Sequence, residues 1–473
     1  MDVFKSLTFL KSALTEENPF ISTNDVMLWL RERNDAVKVN INKIKFKDLN
    51  QWAFSESRYN LKHNTGRFFS IDGIQVNTNY GSIPQWEQPI INQPEIGYLG
   101  FLTKEFNGIL YFLVQAKIEP GNVNNVQLSP TLQATRSNYS LAHHGKAPHY
   151  LEYFRDRNRC SVLIDQLQSE QGARFLQKRN RNIILLTKEK ISLKEDFIWL
   201  TLGQIKRLIQ FDNLVNMDTR TVISGIPSGD FSNEIIQFFY NLEKTDFNIF
   251  GRNMLDSAFD NTLCLHTIDD IIAWFTELKC KYDLYIEKIS LNNLNNWIID
   301  EYEIRHKHNK YFKVIATEVE ISNREVSRWM QPLVEPVQEG LIAFIVKKIQ
   351  GVYHFLVQAK LECGNFDILE MAPTVQCLTG NYRSTAQGSL PFLETVLNIP
   401  KPNILYDTFQ SEEGGRFYRE QNRNMIVEVF SDFDDVVPSN YCWMTLNQLH
   451  SFLKYNNYLN IQARSLISAI SFI

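Results

Sequence analysis

The sequence predicts an α+β protein built from two tandem copies of one unit. Residues 115–139, QAKIEPGNVNNVQLSPTLQATRSNY, return as residues 358–382, QAKLECGNFDILEMAPTVQCLTGNY, at an offset of 243 residues. An internal echo of this kind marks a repeated structural unit. Runs with strand alternation recur in each half and are interleaved with amphipathic helical runs. The 473 residues suffice for two or three hydrophobic cores.

The elements follow in order. Residues 1–16 read as a short N-terminal extension. Ser22, Thr23 and Asn24 cap a helix over DVMLWLRER, whose apolar residues fall at helical spacing. VKVNINKIKF alternates and predicts a strand, as does GRFFSIDGIQV. GYLGFLTKEFNGILYFLVQAK reads as a hairpin turning at Asn107-Gly108, a pair suited to the positive φ of a two-residue turn. The repeated stretch comes next, punctuated by Pro and Gly. An Arg-rich turn, ARFLQKRNRN, leads into an apolar strand. Two amphipathic helices within residues 197–226 close the unit.

The second half repeats this order. Trp29 aligns with Trp274, Trp52 with Trp297, His63-Asn64 with His308-Asn309, and Trp86 with Trp329. Arg174-Phe175 aligns with Arg416-Phe417, Asn180-Arg181-Asn182 with Asn422-Arg423-Asn424, and Arg220 with Arg464. The expected units are residues 1–225 and 262–473, joined by a linker over 226–261. Two copies favour a pair of packed globular domains over a solenoid.

Composition narrows the function classes. A net charge of -4 gives no reason to expect nucleic acid or an anionic membrane as partner. The six Cys are scattered without a CxxC pair, the pattern of free thiols in a reducing cytoplasm. No apolar run approaches a membrane span. There is no GxGxxG after a strand, no P-loop and no GxSxG elbow. The His pairs lack companion ligands at metal-site spacing, so no metal is expected. QSEQGARF and QSEEGGRF do not supply the carboxylate-rich helix of a Nudix hydrolase.

The repeated stretch carries more fixed polar groups than a strand or solvated loop requires, which points to a lined pocket. Lys117, Glu119, Asn122, Gln133, Asn138 and Tyr139 return as Lys360, Glu362, Asn365, Gln376, Asn381 and Tyr382. Arg136 becomes Thr379, Glu95 becomes Gln338 and Arg179 becomes Gln421, so the first copy has the more charged site. Its cations include Arg174, Lys178, Arg179 and Arg181. Arg forks suit a diphosphate. The competing reading pairs these Arg with Glu95, Glu119, Glu152 and Glu170.

These residues carry a family resemblance. QPIINQPEIGYLG, QAKIEPGN, QLSPTLQATRSNY, YLEYF and QSEQGARFLQKRNRN closely resemble the NDP-hexose 2,3-dehydratases of deoxysugar biosynthesis. APTVQ, LPFLETVL and QSEEGGRFY followed by NRN are similar to that family's C-terminal copy. The resemblance implies two Nudix-like repeats, a cytoplasmic homodimer and no cofactor. It implies a dTDP-4-keto-6-deoxyglucose substrate that loses water across C2 and C3, with a 3-ketoreductase downstream. Arg174 stands where family members often carry an aromatic residue.

The chemistry needs a base for the C3 proton, which is acidic beside the C4 ketone, and an acid for the leaving C2 hydroxyl. Lys117 or Glu119 is the expected base. His63 or Tyr139 is the expected acid or oxyanion donor. Arg136, Arg179 and Arg181 are expected at the diphosphate. Asn138, Gln133 and Gln127 are expected at the thymine edge, with Trp86 or Tyr139 stacking on the ring. Glu95, Asn122 and Arg174 complete the set. A second nucleotide-sugar site is expected around Lys360, Glu362, Asn365, Gln376, Asn381, Tyr382, Arg416 and Arg423. An epimerase or isomerase using the same proton abstraction, and a non-catalytic nucleotide-sugar binding protein, remain open at this point.

Overall fold

The computed structural model describes residues 3–56, 59–139, 147–156, 158–227, 249–259, 262–324, 326–378 and 390–472. Local chemistry sets the elements where alternation and caps predict them. Ser22 Oγ accepts from Asp25 N at 3.2 Å and starts the helix Thr23–Asp35. Thr201 with Gln204, and Thr445 with Gln448, form reciprocal capping boxes on the helices Leu202–Ile209 and Leu446–Phe452. Asn107 and Gly108 adopt φ of 51° and 78°, which turns Gly97–Phe106 onto Ile109–Ile118 in two residues. The described helices include none long and apolar enough to cross a membrane.

Each copy contributes a seven-stranded mixed sheet and a five-stranded sheet. In the large sheets one pair is parallel: Arg179–Leu186 on Gly97–Phe106, and Gln421–Val429 on Gly340–Ile349. The five-stranded sheets are shared between copies. Val39–Ile44 leaves its own half and pairs with Phe312–Ile321, matching Ile41 to Val319. Leu284–Ile289 pairs reciprocally with Ser70–Thr78, matching Ile286 to Val76. The copies are therefore exchanged, not merely juxtaposed as the sequence suggests.

The core follows the exchange. One buried apolar cluster runs from Phe101 and Phe112 of the first large sheet to Phe344 and Phe355 of the second. Burying an aromatic or branched aliphatic side chain contributes about 1.5–3 kcal/mol. The helix Val3–Ala13 belongs to this core. Ser12 Oγ donates to Leu110 O at 2.6 Å and accepts from Leu202 N at 2.9 Å. In the helix Ile249–Phe259, Ser257 makes the same pair of bonds to Tyr353 O and Leu446 N at the same distances. The N-terminal extension and part of the linker are thus one element, used once per copy.

The loops after the hairpins lock the copies together. Gly121 N donates to Gly414 O at 2.7 Å, and Gly364 N donates to Gly172 O at 2.6 Å. A Cβ on Gly121 would fall 1.5 Å from Phe417 O, so only glycine permits this approach. Each Gln-Ser-Glu loop therefore reaches into the other copy's half of the molecule.

Candidate active site

A cavity of about 720 Å³ opens where the first large sheet meets the exchanged elements. Its size suits a ligand of nucleotide-sugar dimensions. Gly97–Phe106 and Ile109–Ile118 supply Gly97, Leu99 and Lys117, and the following segments add Glu119 and Gln133. Leu61–His63 and its neighbours bring His63 and Phe69. The opposite wall comes from the second copy. Trp329, Met330 and Gln331 stand on the strand Arg328–Pro336, and Glu413 and Arg416 on the loop from the other half.

The reacting end is built from buried polar groups. Lys117 is 7% exposed and Glu119 6%. Lys117 Nζ donates to Gln133 O at 3.2 Å and lies 3.8 Å from Glu119 Oε1. Gln133 Nε2 donates to Glu119 Oε1 at 3.0 Å. Glu119 Oε2 is buried without a hydrogen-bond partner. An orphaned buried carboxylate oxygen is costly in a resting fold and useful against a substrate. Asn216 caps the helix Met217–Ser224 and donates to Gln133 Oε1 at 3.2 Å. That helix carries Asp218, 2% exposed, to the same cavity.

Electrostatics there are dominated by burial. Burial, then Glu413, Glu170 and Glu119, push the Asp218 carboxyl well above its ordinary range, against Lys117. Burial also raises Glu413, with Arg416 opposing. It lowers Lys178, while Glu170 opposes. His63 is lowered by burial. Its Nδ1 meets Thr65 Oγ1 at 2.8 Å and its Nε2 meets Gln51 Oε1 at 3.3 Å.

The sequence expectations divide sharply. Lys117, Glu119, Gln133 and His63 converge on this cavity. Gln127 does not: it is fully buried between copies and donates to Ser411 Oγ at 2.8 Å. Asn122 is buried against Gly414 and donates to Asn125 O at 2.7 Å. Arg181 grips Asp165 (Nε to Oδ1, 2.6 Å), and Arg423 grips Asp407 at 2.8 Å, so both forks are occupied. Arg179 stacks its guanidinium 3.9 Å over the Phe366 ring, outside the cavity wall. Arg136 is exposed and Tyr139 packs edge-on against Tyr98 at 5.3 Å, and neither lines the cavity. Burial raises the Tyr139 hydroxyl. Glu95 accepts from Gln93 Nε2 at 3.1 Å, behind the wall. The side chains of Asn138, Asn381 and Tyr382 lie outside the described residues.

Exchange also reverses two assignments. Trp329, not Trp86, walls the cavity of Lys117. Trp86 makes the equivalent bond to Gln88 in its own strand. Arg416 lines this cavity and donates to Gln93 Oε1 at 3.0 and 3.1 Å, with its guanidinium 4.3 Å above Phe69. Arg174 sits 4.3 Å above Phe312, on the second copy's side. His63 is matched by His306, since both face the paired tryptophans Trp52 and Trp297 across their strands. His308 is not the counterpart.

The second copy keeps the central bonds. Lys360 Nζ donates to Gln376 O at 3.0 Å, and Gln376 Nε2 donates to Glu362 Oε1 at 2.7 Å. Glu362 Oε2 and both side-chain polar atoms of Asn365 are orphaned and buried. The surrounding charges change. Gln462 holds the helical position of Asp218, Gln171 that of Glu413, and Glu420 that of Lys178. Sequence reasoning missed Asp218, Glu413 and Arg416 as partners of Lys117. The changes Asp218 to Gln462 and Glu413 to Gln171 were the available signal.

Between the copies lie more buried acids. Burial lifts Glu170 to about 7, Glu370 to about 7 and Glu412 to about 8. Glu412 accepts from Asn422 Nδ2 at 2.5 Å and from Gln171. These folded values exceed the ordinary 4.5, so the native state holds protons that the unfolded chain releases. Their contribution is full below 4.5 and is lost as pH rises towards 8. Urea midpoints are expected to fall from pH 5 to pH 8, and Glu412→Gln to flatten that fall. Parallel wild-type and variant curves would remove Glu412 from the account.

The chain is similar to known proteins along nearly its whole length. A family model described as NDP-hexose 2,3-dehydratase matches residues 23–226 and again 268–470. A dTDP-4-dehydro-6-deoxy-alpha-D-glucopyranose 2,3-dehydratase from Saccharopolyspora spinosa is 46% identical over 98% of this chain and 94% of its own. One of the same name from Amycolatopsis orientalis is 41% identical over 97% and 92%. Another from Streptomyces violaceoruber is 39% identical over 93% and 95%. With both copies matched and relatives aligned along nearly the whole length, the chain belongs to the NDP-hexose 2,3-dehydratase family.

Proposed function

We propose that this chain dehydrates dTDP-4-keto-6-deoxy-D-glucose across C2 and C3, and that the large cavity is where the water is lost. The observation that carries the reading is Glu119, a buried carboxylate in the lining of that cavity, with Oε1 3.8 Å from Lys117 Nζ and Oε2 without a hydrogen-bond partner. Glu119 takes the C3 proton. Lys117 Nζ, already a donor to Gln133 O, supplies positive charge towards the enolate that grows on the C4 oxygen. Loss of the C2 hydroxyl gives an enol that tautomerises to the 3,4-diketo-2,6-dideoxy sugar. The aromatic wall of Trp329 and Phe69 suits the thymine and sugar faces.

Arg416, with Arg324 and Arg328 on the same wall, is the diphosphate candidate in place of Arg136, Arg179 and Arg181. Arg416→Ala is expected to weaken dTDP binding about 10- to 100-fold, as for charge-assisted hydrogen bonds. Arg181→Ala is expected to stay within about twofold, because its fork already holds Asp165. Calorimetric titration with dTDP compares them, and equal losses would move the diphosphate elsewhere.

The first repeat is the catalytic one in this reading. The second, with Lys360, Glu362 and Gln376 in place but fewer charges around them, is a degenerate or second nucleotide-sugar site. The resemblance further supports Nudix-like repeats, a cytoplasmic homodimer and a downstream 3-ketoreductase. The test is mass spectrometry of the protein with its substrate, a 3-ketoreductase and nicotinamide cofactor as a trap. Loss of one water followed by reduction is the expected result. Tight binding without a mass change would instead favour an isomerase or a binding protein.

A further inference from the structure

We propose that Asp218 is the acid that protonates the C2 hydroxyl as it leaves. This rests on the dehydratase reading and adds the residue that completes it. The geometry is a continuous chain of contacts. Glu119 Oε1 accepts from Gln133 Nε2 at 3.0 Å, and Gln133 Oε1 accepts from Asn216 Nδ2 at 3.2 Å. Asn216 is the cap of the helix on which Asp218 stands two residues later. Base and acid are thereby carried to one cavity by a single bonded frame, with both carboxyls buried.

The second copy isolates the difference. Glu362 Oε1 accepts from Gln376 Nε2 at 2.7 Å, and Gln376 Oε1 accepts from Asn460 Nδ2 at 2.7 Å. Asn460 caps the helix Ile461–Ser468, and its second residue is Gln462. The frame and the base are preserved, and the carboxyl at its end is replaced by an amide. An amide cannot serve as a general acid. A site with Glu362 and Gln462 can remove an α-proton and cannot assist the leaving oxygen.

Asp218 is also in the right ionic state. Its neighbours Glu413, Glu170 and Glu119 are acids, with Lys117 the opposing cation, and burial favours the neutral carboxyl. Burial raises Glu413 on the far wall as well, but there Arg416 and Lys178 oppose it. In the step, Glu119 takes the C3 proton and the C3–H electron pair moves into the enolate. That pair then forms the C2–C3 double bond as the C2–O bond breaks. The oxygen takes the Asp218 proton and leaves as water. Glu119 ends protonated and Asp218 ionised, and both states are restored as the enol ketonises with protonation at C2.

The test uses Asp218→Asn, which keeps the shape of a buried neutral carboxyl, in deuterium oxide with the trapped assay. Dehydration is expected to fall about 10²–10⁴-fold, the usual share of a general acid. Deuterium should still enter C3 of recovered substrate at close to the wild-type rate. Adding Glu119→Gln should stop that exchange, which assigns it to this cavity. The 2-deoxy-2-fluoro analogue, whose fluoride departs without a proton, should be turned over equally by wild type and Asp218→Asn. Wild-type dehydration in the variant would overturn the proposal. So would joint loss of exchange and fluoride elimination, or loss of dTDP binding, because the role assigned is proton donation alone. A wild-type protein that does not dehydrate the sugar would instead overturn the dehydratase reading.

Discussion

Glu119→Gln is expected to lower kcat for dehydration about 10²–10⁴-fold while dTDP binding is retained. The amide keeps one acceptor for Gln133 Nε2, which lies 3.0 Å from Oε1. It replaces the buried, unpartnered carboxylate oxygen with an amide group that cannot accept a proton as a carboxylate does. The loss should fall on proton abstraction, so solvent deuterium should no longer enter C3 of recovered substrate. Lys117 is the weaker candidate for the base. Its Nζ donates to a carbonyl and lies beside Glu119, the placement of a positive donor rather than of a proton acceptor. Lys117→Met should also lower kcat, through a less stabilised enolate. The two variants separate when exchange is compared with elimination in trapped assays. A Glu119→Gln enzyme within a few-fold of wild type would transfer the base to Lys117.

Much of this was legible because a duplicated chain displays what it retains. Lys117, Glu119 and Gln133 stand out as fixed polar types that recur 243 residues later, and they do meet in one cavity. The hairpin at Asn107-Gly108 and the cap at Ser22 follow from local chemistry and need no tertiary knowledge. The wall of the site was not legible, for a topological reason. The exchange of Val39–Ile44 and Leu284–Ile289 places Trp329 and Arg416 where equivalence within one half suggests Trp86 and Arg174. Strand alternation reports which face is buried and does not report which sheet accepts the strand. Arg181 misled for another reason. An Arg fork that binds a phosphate and one that holds Asp165 look identical until the partner is seen.

The exchange also explains how one copy can drift while the fold survives. The cavity of Lys117 draws on both halves, so the difference between Glu413 and Gln171 alters that site without changing the bonds among Lys117, Gln133 and Glu119. Lys360, Gln376 and Glu362 retain their bonds because they also organise the strands that carry them. Among the differences between the copies, Asp218 to Gln462, Glu413 to Gln171 and Lys178 to Glu420 fall on the lining of this cavity, while Glu95, Arg136 and Arg179 differ outside it.

Arg220→Ala is expected to destabilise the whole protein by about 3–5 kcal/mol, the cost of removing one member of a buried charged network. Arg220 is 1% exposed, and its fork reaches across the exchange to Ser411 O and Ser465 Oγ. Its counterpart Arg464 reaches back to Ser169 O and also donates to Thr221 Oγ1 at 3.1 Å. The helices Met217–Ser224 and Ile461–Ser468 therefore clasp each other through two buried guanidinium groups. Burial lowers both, Arg464 to about 10, with Glu412 supporting Arg220 and Glu370 supporting Arg464. Removing Arg220 leaves the Ser411 carbonyl buried without this donor and leaves the Glu412 region without its cation. Arg220→Lys should recover only part of the loss, because an ammonium cannot reproduce the two-pronged fork. Because Ser411 leads directly into Glu412 and Glu413, the same variant should raise KM even at temperatures where it stays folded. Chemical denaturation with steady-state kinetics on the same samples reads both effects. A loss below about 1 kcal/mol, typical of a surface substitution, would mean that the apolar core and the exchanged strands hold the copies together without this clasp.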